Sequence, residues 1–448
     1  MQINPGIFKA YDIRGTYPDQ LNEEAGYAIG RAFATFLKVD TVIVGRDMRL
    51  SGPAMFDAVT RGLMDQGADV INIGMVSTDQ YYYACATLNQ AGMMVTASHN
   101  PAQYSGFKMV RKMPYLLSGD EGIQDLRHII ETDAFARPTR QGRMTEMDLS
   151  GEFVNYVLGL IDVNSLAPLK VIADTGNGMV GPILKRVYEH LPSVTLTGMY
   201  LDPDGSLPNH GLDPLQPENR AELQARVAAE GADVGYAFDG DGDRFFTIDD
   251  RGDFVSGDFL TALLGQYFLE KYPAANILYD VRASWAVPDL ISAAGGTPLM
   301  ERVGHAFIKA RMATEDAVFA GEVTGHYYFK DFFFADSGII PSLVILEMLS
   351  KKKAKLSDLL KPLEAQYFIS GEINTRIAGE VKAKLDELAA TFSDGKIEWF
   401  DGLSVTYADW HFNVRPSNTE PLLRLNLEAK SKAMMEEKRD RILEIIRA

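Results

Sequence analysis

VDTVIVGRDMR, residues 39–49, decides how this chain is read: a short run of β-branched and aliphatic residues ends in charged and small ones. Buried parallel strands have this form just before a functional loop. LKVIADTGNG (residues 169–178) and ANILYDVRAS (residues 275–284) repeat the pattern, starting roughly 105 to 130 residues apart, a domain-sized period too long for a solenoid. Each is followed, about 45 to 70 residues on, by one polar, Gly- or Asn-rich segment: TASHNP at Thr96, DGDGDR at Asp239 and GEVTGH at Gly321.

Helical patterns fill the intervals. Asn22 suits an N-cap, with Glu23 and Glu24 in the first turn, and Ile29, Phe33, Phe36 and Leu37 follow at helical spacing. Strands alternating with helices predict βαβ units and parallel or mixed sheets, with ligand loops at the strand ends. The C-terminal part differs. Apolar residues largely alternate from Leu403 to Val414, RPSNTEP intervenes, and Leu423, Leu425 and Leu427 alternate with polar neighbours. Period two on both sides of a loop predicts two strands of an antiparallel sheet, and KSKAMMEEKRDRILEIIRA predicts a closing helix. At 448 residues the chain exceeds one hydrophobic core, and it divides into 1–150, 151–252, 253–368 and 369–448. The expected class is α/β, with three related domains of mixed sheet and a C-terminal α+β domain.

Composition removes several function classes. The formal charge of -17 disfavours a nucleic-acid or anionic-membrane surface, which rewards clustered Lys and Arg. Gln80 to Phe107 carries no charged residue, but Asn89, Gln90, His99, Asn100 and Gln103 interrupt it, so it does not read as a membrane span. Cys85, the only cysteine, reads as a packed core thiol. The opening MQINPGIFKAYDIRG shows no secretory pattern, and the expected location is the cytoplasm.

DGDGDR sets Asp239, Asp241 and Asp243 at alternate positions with glycines between, so a tight loop can aim three hard oxygen ligands at one cation such as Mg²⁺. An EF-hand is disfavoured because its sixth position is Arg244 and its twelfth Asp250. Arg244, next to the third aspartate, suits a phosphate near the metal. In TASHNP, Ser98 follows an apolar run and precedes His99; ten residues on, Lys108 supplies a cation for an oxyanion or a proton. Alone, TASHNP also fits an ordinary turn or N-cap. RPSNTEP offers Arg415 with Ser417, Asn418 and Thr419, the composition of an anion-binding loop or of a capped loop. GEVTGH offers Glu322, Thr324 and His326, which suit paired sugar hydroxyls or a plain turn.

Taken together and in this order, these segments resemble the α-D-phosphohexomutase family. The likeness spans essentially the whole chain and includes KAYDIRG at Lys9, PDGSLPNHGLDPLQPEN from Pro203 and RVGHAFIK from Arg302. It implies four domains around a central cleft. The first three carry, in turn, a phosphoserine loop, a metal loop and a sugar-recognition loop, and the last carries a phosphate-binding loop. Residue by residue, it makes Ser98 the phosphoserine and, with Asp239, Asp241 and Asp243, a ligand of Mg²⁺.

By the same resemblance Arg14, His99, Lys108, Arg244 and His326 join Ser98 as catalytic groups. Tyr11, Arg282, His305, Glu322, Thr324, Arg415, Ser417, Asn418 and Thr419 bind substrate. Thr324 stands where the family usually has Ser, keeping the hydroxyl, and Arg282 stands where several relatives have Lys. The implied reaction moves a phosphoryl group between O1 and O6 of a hexose phosphate through a hexose 1,6-bisphosphate, which also serves as activator. Val323 counts against an amino sugar. GEVTGHYYFKDFFFADSGIIP is most similar to bacterial phosphomannomutases, so interconversion of mannose 6-phosphate and mannose 1-phosphate is expected. Dual mannose and glucose activity is the alternative. A metal-dependent sugar phosphatase and a silent sugar-phosphate binder are the readings from other classes.

Overall fold

The computed structural model describes residues 3–119, 121–377, 379–416 and 422–448, so Ser417, Asn418 and Thr419 lie outside the described residues. The chain forms two compact units, Met1–Val255 with Lys309–Asp316 and Thr324–Leu356, and Ser256–Ile308 with Ala317–Val323 and Ser357–Ala448.

Each repeated segment becomes the middle strand of a parallel trio. Thr41–Arg46 lies between Asp69–Met75 and Ala91–Val95; Leu169–Asp174 lies between Val194–Met199 and Val234–Phe238; Asn276–Asp280 lies between Thr297–Glu301 and Phe319–Gly321. In every trio the middle strand pairs with the next strand in the chain on one side and with a later one on the other. Strand order therefore reverses there, and such switch points open a crevice at the carboxyl ends of the strands. TASHNP, DGDGDR and GEVTGH each leave the carboxyl end of the last strand of their trio. Antiparallel neighbours make the sheets mixed: Tyr104–Lys112 pairs with Ala91–Val95, and Phe245–Ile248 with Val234–Phe238.

The first domain's core rests on helix Glu23–Leu37, capped as the sequence predicts, with Asn22 Oδ1 accepting from Ala25 N at 3.0 Å. Ile29 and Phe33 are buried on its inner face. This helix meets helix Gly52–Asp65 backbone to backbone, since a Cβ on Gly62 would lie 2.2 Å from the Tyr27 carbonyl oxygen and one on Gly30 2.4 Å from that of Val59. Close approach of this kind is what a hydrogen side chain permits.

The C-terminal sheet is antiparallel, in the order Phe368–Ile369, Leu422–Ala429, Trp410–Pro416, Leu403–Thr406, Lys396–Trp399, with Ile373–Arg376 also paired to Leu422–Ala429. The expected single strand over Leu403–Val414 is two strands folded at Tyr407–Asp409. Tyr407 N donates to Trp410 O at 2.9 Å and closes that turn without a glycine or proline, so the apolar alternation runs through it unbroken. Helix Lys432–Arg447 closes the domain, with Ser431 as its N-cap. Cys85 is buried, and burial pushes its thiol well up. No helix among the described residues is long and apolar enough to cross a membrane.

Candidate active site

Ser98 sits in an unusual backbone position. Its strand ends at Val95, Thr96 Oγ1 accepts from Ser98 N at 2.9 Å, and Ser98 itself takes φ 50°, in the left-handed region. Residues with a Cβ hold that conformation only where their surroundings fix it. Ser98 Oγ donates to Asp239 Oδ2 at 2.7 Å and lies 3.2 Å from His99 Nδ1.

Asp239, Asp241 and Asp243 are buried, and a carboxylate oxygen from each lies within 4.8 Å of the others. Asp239 Oδ1 is turned into its own loop, accepting from Gly242 N and Arg244 N at 3.1 Å. Its Oδ2 is left for Ser98. Asp241 Oδ2 accepts from Thr78 Oγ1 at 2.6 Å, Thr96 Oγ1 at 3.1 Å and Lys108 Nζ at 2.7 Å, and Lys108 also pairs with Asp243.

This donor set suits a hard divalent cation, because three buried carboxylates converge and Asp241 Oδ1 is buried without a hydrogen-bond partner. The electrostatics agree. Burial, reinforced by Asp241 and Asp243, pushes Asp239 well above the usual carboxylate range. Asp243 is held well below it despite burial, by Lys108 and then His326. Against its own burial, Lys108 is held protonated by Asp241 and Asp243. Lys108 and, at longer range, Arg244 answer three converging carboxylates, an arrangement to which a divalent cation would add charge.

Other expected groups lie in the same unit. Arg244 Nε lies 4.0 Å from Asp239 Oδ2, and the backbones of Arg244 and His326 form a β-bridge. His326 Nε2 faces Asp243 Oδ1 at 3.5 Å. Arg14 donates to Asn100 Oδ1 at 2.5 Å and pairs with Asp12. Burial, then Arg244 and Arg14, push His99 well below the ordinary imidazole value. Tyr11 and Thr324 are half-buried in this unit. Asp243, His326 and Asp336 also have ligand-like spacing, but buried Lys309 Nζ already lies 2.6 Å from Asp336 Oδ1 and 3.8 Å from the Tyr82 ring centre.

The second unit holds Arg282, His305, Glu322 and Arg415. Arg282, expected against the substrate, is enclosed by carboxylates: Nε and Nη2 donate to Asp280 at 2.9 Å, Nη1 donates to Glu372 at 3.1 Å, and Glu322 lies 3.7 Å away. Its guanidinium is committed to protein groups. Arg415 is buried on strand Trp410–Pro416, with Nε 3.5 Å from Asp401 Oδ1, and His305 is half-buried. Sequence reading missed Thr78, Thr96 and Arg49. Arg49 lies in GRDMR, the charged end of the first repeated segment, though nothing there shows which groups it holds.

Family models place this chain among known proteins. Those for the phosphoglucomutase/phosphomannomutase alpha/beta/alpha domains I, II and III match residues 5–137, 151–252 and 256–367, and that for the C-terminal domain matches 372–445. The phosphomannomutase of Salmonella typhimurium is 42% identical over 445 residues, covering 97% of each chain. The phosphohexose mutases of Xanthomonas campestris are 39% identical over 435 residues, covering 96% of this chain and 97% of theirs. A crystal structure of a phosphoglucomutase/phosphomannomutase family protein from Burkholderia thailandensis superposes with a TM-score of 0.90 at 35% identity, over 99% of this chain and 97% of that one.

Proposed function

Because this chain belongs to the phosphoglucomutase/phosphomannomutase family and is a phosphohexomutase, we propose that it interconverts mannose 6-phosphate and mannose 1-phosphate through a phosphorylated Ser98. The four domains divide near residues 150, 252 and 369. The observation that carries the reading is the hydrogen bond of 2.7 Å from Ser98 Oγ to Asp239, inside a buried acidic triad with a lysine. A hydroxyl so placed suits a phosphoryl carrier, since neighbouring charges are fixed before the reaction begins.

Phosphoserine 98 gives its phosphoryl group to a hexose hydroxyl: the Ser98 O–P bond breaks and Ser98 Oγ takes up a proton, while the sugar O–P bond forms and the hydroxyl proton passes to a base. His326, whose Nε2 faces Asp243 Oδ1 at 3.5 Å beside the triad, is the base we propose. Asp239, Asp241, Asp243 and Ser98 would hold Mg²⁺, which would supply positive charge against the phosphoryl oxygens. Lys108, Arg14 and Arg244 add cationic donors, and His99 orients the serine hydroxyl. The resulting hexose 1,6-bisphosphate turns end over end and returns its other phosphate to Ser98, which also explains its use as activator. Glu322 and Thr324 read sugar hydroxyls, with Arg282 holding Glu322 in place. Tyr11 and His305 line the sugar, and Arg415, Ser417, Asn418 and Thr419 hold the phosphate that is not reacting. A cytoplasmic location is part of this proposal.

Coupled assays of mannose 1-phosphate and glucose 1-phosphate, each with trace bisphosphate, test the substrate. A higher kcat/KM for mannose 1-phosphate is expected. Comparable values would favour a dual-specificity mutase, the second reading, which the phosphohexose mutase relatives support. Phosphate released to water without isomerisation would overturn both.

Arg415→Ala is expected to raise KM in both directions. Losing a charge-assisted bidentate contact removes about 1.5 to 3 kcal/mol, roughly 10- to 150-fold in kcat/KM. A remote handle binds ground and transition states alike, so kcat should change little. Steady-state kinetics with both hexose phosphates check this, and a loss confined to one direction would count against a shared clamp.

A further inference from the structure

Arg49 is buried, at 2% exposure, in the loop after strand Thr41–Arg46. Its side chain is spent on carbonyl oxygens. Nη2 donates to Ser98 O at 2.7 Å and Asn100 O at 2.6 Å, and Nη1 donates to Pro101 O at 2.8 Å and Tyr104 O at 3.1 Å. Asp47 fixes the arginine from behind: Oδ1 accepts from Arg49 N at 3.0 Å and Oδ2 lies 3.3 Å from Nε. Asp47 N in turn donates to Val95 O at 3.0 Å, at the end of the strand that leads to Ser98. The guanidinium is therefore anchored to the start of the serine loop and grips it at four carbonyls.

We infer that Arg49 is a positioning residue for phosphoryl transfer, holding the loop so that Ser98 Oγ stays on Asp239; this rests on reading Ser98 as the phosphoryl carrier. Ser98 occupies the left-handed region at φ 50°, a conformation that reverts unless something fixes the peptide after it. Arg49 fixes that peptide by its oxygen. Gly240 closes the other side, where an added Cβ would lie 2.7 Å from Ser98 O, so this carbonyl is confined between the arginine and the metal loop. Rotation of the Ser98 carbonyl would carry the side chain off Asp239. Lysine cannot substitute, because one ammonium does not present the planar fork that reaches four separated carbonyls.

The test compares wild type, Arg49→Lys, Arg49→Ala, Asp47→Asn and Ser98→Ala as full chains, by thermal melting, kinetics in both directions and intact mass. Arg49→Lys should fold and lose about 30- to 100-fold in kcat with KM nearly unchanged, as a misplacement of about 1 Å can produce. Phosphorylation of Ser98 by hexose 1,6-bisphosphate in a single turnover should slow by the same factor. Guanidinium ion at low millimolar concentration should restore part of the kcat of Arg49→Ala, which a merely structural role would not show. Asp47→Asn, which keeps the arginine but loosens its anchor, should lose about 10-fold in kcat. Wild-type kcat in folded Arg49→Lys, or a loss lying wholly in KM, overturns the inference. If neither Arg49 variant folds, wild-type kcat in folded Asp47→Asn overturns it. Activity in Ser98→Ala would instead remove the phosphoserine reading on which the inference stands.

Discussion

Ser98→Ala is expected to abolish turnover in both directions, by on the order of 10³-fold or more, while the protein melts close to wild type. The substitution is unusually clean. Alanine carries the same Cβ as serine and meets the same cost at φ 50°, so the backbone is not relaxed as it would be by glycine. What disappears is one hydroxyl, with its hydrogen bond of 2.7 Å to Asp239. Intact-mass measurement after treatment with hexose 1,6-bisphosphate should show a gain of about 80 Da in wild type, the mass of the added group, and none in the variant. A folded Ser98→Ala protein that turned over at the wild-type rate would exclude Ser98 as the carrier. Substrate binding should survive, because the proposed mechanism has sugar and remote phosphate held by other residues; this separates loss of chemistry from loss of recognition.

Parts of this arrangement can be read directly from the chain, and the reason is locality. The triad is legible because alternate aspartates with intervening glycines can converge within one turn, and Asp239, Asp241 and Asp243 do converge. Asn22 is legible as a cap because a cap bonds its own helix three residues on. The repeated strands are legible because a buried parallel strand is apolar on both faces. Long-range partners leave no such trace. Arg49 acts on backbone carbonyls some 50 residues away, and a carbonyl has no residue type to notice. Thr78 and Thr96 look like ordinary cap and turn residues until Asp241 receives both of their hydroxyls. Arg282 also bonds Glu372, which lies 90 positions later and leaves no mark on DVRAS.

Lys108→Met is expected to lower kcat by about 10²- to 10³-fold, the scale of losing one fixed charge at a phosphoryl centre. A second effect follows from its position. There Lys108 Nζ lies 2.7 Å from Asp241 and also pairs with Asp243, with both partners buried, so it occupies part of the role a cation would take. Removing one member of a buried ion pair costs about 3 to 5 kcal/mol, because the remaining charge keeps its desolvation penalty. A bound divalent cation offsets that penalty, and it no longer competes with an ammonium for the same oxygens. It also stabilises by mass action, about 2.7 kcal/mol when its concentration is 100 times Kd. The variant should therefore melt lower than wild type in chelator and gain more from added Mg²⁺ than wild type does. In wild type, thorough chelation should stop turnover and Mg²⁺ should restore it. Paired melting curves in chelator and in Mg²⁺ decide the matter: equal shifts in the two proteins would mean that Lys108 and the cation do not share the triad, and activity undiminished by chelation would remove the metal altogether.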